Sequence, residues 1–151
     1  MSLTTSIQTI VSTLYPDATF LLSSKFHANR EAISIQASAL PLIILDNELT
    51  KNAEIKKNNN IQKETRILIS FLTQDTPNNT DLQTDAIREA MEAMADKVAA
   101  NIWQLIDVRP LKNENQIYKL VPMFHIGPSN LSGVALDMLV NYNEVINMCA
   151  T

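Results

Sequence analysis

Apolar residues at Leu3, Ile7, Ile10, Val11 and Leu14 recur at helical spacing, with Thr4, Thr5 or Ser6 as N-cap and Pro16 as the stop. This predicts a short amphipathic first helix. Thr19-Phe20-Leu21-Leu22 then reads as a strand, and Ile33 and Ile35 mark a weaker alternating one. Pro41 to Leu45 is a compact apolar run. Ile67, Ile69 and Phe71 form another, with Leu68 and Leu72 on its opposite face, and apolarity on both faces suits central strands. Between these runs lies the polar segment 48–66, in which Ile55 and Ile61 flank Asn58-Asn59-Asn60. Asparagine tolerates the left-handed conformations of tight turns, so the segment predicts a long β-hairpin. Its arms carry too few apolar side chains to pack on a core, and its tip should project.

Thr80-Asp81-Leu82-Gln83 has the capping-box pattern that opens a helix. Ile87, Met91, Met94, Val98, Ile102 and Leu105 follow at steps of three and four. At about 100° per residue they form a stripe of the width a core-facing helix shows. Asp85, Glu89, Glu92 and Asp96 lie almost opposite, as an acidic seam, and Trp103 falls at its end. Pro110 and the polar run Lys112 to Gln116 close the helix. A strand over 117–126 is interrupted by Pro122, which predicts an edge position or a bulge. The last strand alternates cleanly from Val134 to Tyr142. The order predicts one α+β domain spanning 1–151: an antiparallel or mixed sheet with a projecting hairpin (about 48–66), a short N-terminal helix, and one long helix packed on the sheet.

Composition removes several functions. Gly127 and Gly133 are the only glycines in 151 residues, too few and wrongly placed for a dinucleotide fingerprint or a Walker A loop. They bracket the connection between the last two predicted strands. One cysteine, Cys149, and two histidines, His27 and His125, exclude an intrachain disulfide and the common zinc sets. No cofactor or metal is expected. No positive charge precedes Lys25, so the start lacks the basic region of a signal peptide, and no apolar stretch approaches a membrane span. These features point to a soluble protein in a reducing compartment. A net charge of −4 argues against a broad nucleic-acid footprint.

Candidate chemistry is thin. Four carboxylates on successive turns of one straight helix do not converge on a metal, so the seam reads as a solvated or partner-facing surface. A tryptophan on that side is either covered by the connection near Pro110 or buried by another subunit. His27 reads as a surface residue and His125 as a hydrogen-bonded sheet residue. Cys149, two residues from the end, lacks a fixed base. The segment 48–66 has five basic and three acidic residues on a chain that is acidic overall. A basic arm of this kind suits self-association.

The first helix ending at Tyr15-Pro16, the strands Leu40-Pro41-Leu42-Ile43-Ile44-Leu45 and Arg66-Ile67-Leu68-Ile69-Ser70-Phe71-Leu72, the polar hairpin between them, the helix from Thr80, and the closing strand Leu131-Ser132-Gly133-Val134-Ala135-Leu136-Asp137-Met138 together follow a familiar order. That order resembles the tail-terminator, or tail-completion, proteins of tailed bacteriophages and the related neck rings that join head to tail. The resemblance implies a non-enzymatic virion protein, made in the host bacterial cytoplasm, that forms a homo-oligomeric ring, commonly a hexamer. Its partners would be other neck or tail proteins. DNA would pass through the ring without sequence-specific recognition, and no membrane is involved. Within such a ring, Lys56, Lys57 and Lys63 of one hairpin would lie on Asp85, Glu89, Glu92 and Asp96 of the next subunit, with Trp103 also in the interface. Two other functions stay open on the residues alone. One is a soluble adaptor that binds a protein through the hairpin. The other is a small enzyme with a dispersed site, for instance His125 with Asp137 and a serine.

Overall fold

A computed structural model describes residues 3–23, 41–46, 51–55, 60–75, 79–105, 107–109, 118–126 and 130–145. The elements run α1 (Leu3–Leu14), β1 (Thr19–Ser23), β2 (Leu42–Asp46), β3 (Lys51–Ile55), β4 (Asn60–Gln74), α2 (Asp81–Leu105), β5 (Asp107–Arg109), β6 (Tyr118–Ile126) and β7 (Leu131–Val145). The fold is α+β, with the short first helix and one long helix on a mixed sheet, as the patterning predicts.

The sheet is built on a long antiparallel pair. β4 and β7 stay in register from Asn60↔Val145 to Gln74↔Leu131. At ~3.3 Å per residue such a pair extends on the order of 50 Å, longer than the ~37 Å of α2. Each outer edge of this pair carries two short strands placed end to end. On β4 these are β2, antiparallel at residues 68–72, and β3, antiparallel at 61–65. On β7 they are β6, opposite residues 131–138, and β5, opposite 139–141. β1 adds to β2 in parallel. The sheet therefore runs from β1 at one flank to β5 and β6 at the other.

Both faces of the central strands are buried, because both parities of the sequence are apolar there. Ile43, Ile69, Phe71, Leu136 and Met138 face the helices, where Ile7 and Val11 of α1 and Ala95, Val98 and Ile102 of α2 meet them. Leu42, Ile44, Leu72 and Leu131 make a second buried cluster. Fully burying one such side chain contributes about 1.5–3 kcal/mol. Gly133 belongs to β7 rather than to the connection before it. A Cβ there would stand 1.8 Å from the Phe71 carbonyl oxygen and 3.1 Å from Met91 Cγ, so the close approach of β4, β7 and α2 requires glycine.

Several expectations are refined. Pro122 does sit in an edge strand, since among the described residues β6 pairs only with β7, and a register shift between Met123 and Ile126 marks a bulge. β5 was not foreseen, because three residues straight after a helix carry no periodicity. β3 and β4 pair antiparallel as a hairpin requires, but β7 flanks the β4 arm throughout, so the two strands are not a free ribbon. The tip at 56–59, with Lys56 and Lys57, lies outside the described residues, as do the weak strand around Ile33 and Ile35, His27 and Cys149.

Candidate functional site

The start of α2 is fixed by its own sequence. Gln83 N–H donates to Thr80 Oγ1 at 3.3 Å, and Thr80 N–H donates to Gln83 Oε1 at 2.8 Å, the reciprocal pair of a capping box. Asp81 in the first turn complements the helix dipole.

Beside this cap lies a buried carboxylate that patterning does not reveal. Asp75, 1% exposed, directly follows β4. It accepts hydrogen bonds from Asn79 Nδ2 (2.5 Å), Thr84 Oγ1 (3.1 Å) and Ser132 Oγ (2.8 Å). Its own N–H donates to the Asn130 carbonyl at 3.0 Å. A buried charge is tolerable only when donors replace its lost water, and here they come from α2, from the turn before it and from β7. The group ties three elements together at one corner of the fold.

His125 adjoins this corner. Its backbone N–H donates to Ser132 Oγ at 3.1 Å, and Nδ1 lies 2.9 Å from Asn130 Oδ1 and 3.8 Å from Asp75 Oδ2. His125 and Asn130 both have φ of 52°, the left-handed region in which histidine and asparagine are enriched; His125 lies within the bulge of β6 and Asn130 directly precedes β7. A serine, a histidine and an aspartate are thus neighbours, next to an open cavity of about 500 Å³ lined by Asn79, Asp81, Thr84, Asp85, Phe124 and His125. The connectivity is not that of an activated nucleophile. Ser132 is fully buried and gives its proton to Asp75, whereas a nucleophilic serine gives it to an imidazole nitrogen. Asp137, the carboxylate grouped with His125 on sequence grounds, instead accepts two hydrogen bonds from Arg66, one of them from Nε at 2.8 Å.

The acidic seam of α2 is engaged within the molecule. Arg88, on the same side of the helix, donates from Nε to Asp85 at 2.9 Å and from Nη1 to Glu92 at 2.5 Å, and reaches Glu89 at 3.8 Å. The hydrogen bond that Arg88 donates to Asp85, ahead of the charge of Asp85 and the bond and charge of Glu92, raises the guanidinium's already high pKa. Asp96 accepts the Tyr118 hydroxyl of β6 at 2.7 Å. That bond, with burial and the Asp96 and Glu92 charges adding to it, pushes the Tyr118 pKa up to about 12. Lys63, expected near a free arm, sits half-buried in β4 between Ala53 of β3 and Tyr142 of β7.

Trp103 is different. It remains 52% exposed at the end of the seam, just before β5. The other large apolar side chains left open among the described residues are Leu21 and Leu22 on β1, Val121 and Phe124 on β6, and Leu82 in the first turn of α2. Apart from Leu82, all of them lie on or beside the strands at the two flanks of the sheet.

Among the described residues no group of three or more His, Cys, Asp or Glu side chains is placed to hold a metal, and no helix is long and apolar enough to cross a membrane. No protein-family model matches the chain, and no curated protein matches it in sequence.

Proposed function

We propose that this chain is a non-enzymatic structural subunit that closes into a homo-oligomeric ring, of the kind the sequence resembles: a tail terminator or neck ring at the head–tail junction of a tailed phage particle. The observation that carries this reading is the distribution of exposed apolar side chains. Leu21 and Leu22 occupy one flank of the sheet, and Val121, Phe124 and Trp103 the other. Two unlike apolar flanks on one subunit favour head-to-tail contacts, which close into a ring when the rotation per subunit divides a full turn. The neighbouring head and tail proteins would then dock on the two faces of the ring, and DNA would pass through its bore.

The test is native mass spectrometry with negative-stain imaging of the purified chain over a wide concentration range. Discrete rings, or tubes of stacked rings, support the reading. A monomer at every concentration, alone and with head or tail particles that lack this component, overturns it.

A further inference from the structure

Within the ring reading, we propose that the subunits lock by insertion of Trp103 of one copy into a cleft at the end of α1 of the next. The cleft, about 270 Å³, is lined by Leu14, Tyr15, Pro16, Ala18, Pro41 and Met94, together with Asp17. It is walled by apolar and aromatic groups, and burial pushes the Tyr15 hydroxyl pKa up. The turn that shapes it is held by Tyr15 N–H to the Val11 carbonyl at 2.8 Å and Ala18 N–H to the Tyr15 carbonyl at 3.1 Å. The cleft is therefore a fixed feature of the helix end.

Three observations choose the occupant. First, an indole has one apolar body and one N–H donor, and a buried indole normally finds an acceptor for it. The cleft offers apolar walls and a single carboxylate, Asp17, which is solvent-exposed. Second, the cleft lies beside β1 and β2, whereas Trp103 precedes β5 on the side of α2 that bonds to β6. Met94 of α2 also lines the cleft, but from the core-facing stripe, about 180° round the helix from Trp103, so the contact runs from copy to copy. Third, tryptophan is the residue type most enriched among interface anchors. Leu21 and Leu22, on the same flank as the cleft, would add apolar area around the inserted ring.

The chain has one tryptophan, so its fluorescence reports this contact alone. In a dilution series of the wild-type chain, emission should be red-shifted and readily quenched by acrylamide in the monomer. It should move to the blue and lose several-fold in quenching as the oligomer forms. Trp103→Ala should weaken association by on the order of 30-fold while leaving thermal unfolding in place. The variants Trp103→Phe, which removes the N–H, and Asp17→Ala should each weaken association. If the two groups meet, the double variant should be no weaker than the poorer single one. Rings in which Trp103 stays open to acrylamide, or strict additivity of the two single variants, overturn the insertion and leave the ring standing. A chain that stays monomeric throughout overturns both.

Discussion

The acidic seam of α2 and the tryptophan that ends it share one side of one helix, yet they stand in opposite states. The seam's charges have partners inside the molecule. Arg88 gathers Asp85 and Glu92, and Asp96 holds the Tyr118 hydroxyl. Trp103 is half open. Exposed ion pairs contribute about 0–1 kcal/mol, and charges already paired offer little more to a partner. An indole half in water still has about half of its burial free energy to give. On the proposed ring reading, this difference puts the anchor of association at the end of the helix rather than along its charged face.

This contrast can be broken in graded ways. The largest effects should fall on the frame that both regions share. Asp75→Ala leaves the Ser132, Thr84 and Asn79 donors facing a void and should cost about 3–5 kcal/mol in chemical denaturation. Gly133→Ala drives a methyl into the Phe71 carbonyl and should cost on the order of 3 kcal/mol. Neither should alter the association constant of the fraction that remains folded. If either did so strongly, the frame and the flanks would not be separable.

A smaller effect belongs to the closed seam. Because the folded pKa of Tyr118 is raised to about 12 from an ordinary value of 10.0, the neutral hydroxyl is the stabilised form. Its contribution is fully present below pH 10 and is lost as pH rises through 12. Ultraviolet titration should show Tyr118 ionising late, and Asp96→Asn should bring it down. The smallest effect should come from Glu92→Lys. Breaking its partly exposed bond to Arg88 should cost about 1 kcal/mol or less, with association at low salt unchanged within twofold. A large loss of assembly in that variant would put the seam in the interface and count against the Trp103 anchor.

Much of the frame was legible from residue order. The helical spacing from Leu3 to Leu14 gives α1, the Thr80–Gln83 box fixes the start of α2, and the two-sided apolarity of 42–45 and 67–72 marks central strands. What escaped depends on pairing over long sequence distance. β5 exists because β7 offers an edge to three residues with no pattern of their own. The full length of β4 and β7 is set by their shared register and not by apolarity, which fades toward Asn60 and Val145. Asp75 opens the polar run Asp75-Thr76-Pro77-Asn78-Asn79, where a carboxylate normally signals exposure, and its burial depends on a donor far along the chain, Ser132, as well as on Asn79 and Thr84 nearby. The seam was read from its carboxylates, and the bonds that Arg88 makes to them within the chain were not.

The central claim is that association is head-to-tail through unlike flanks, and mixing two blocked variants tests it most directly. Trp103→Ala lacks the insert but keeps the cleft, while Ala18→Phe fills the cleft but keeps the insert. Once each is shown to be folded by circular dichroism and alone to remain monomeric, the equimolar mixture has one usable contact per pair. Native mass spectrometry should then find one-to-one dimers and nothing larger. A mixture that stays monomeric, or either variant alone building rings, would contradict the account.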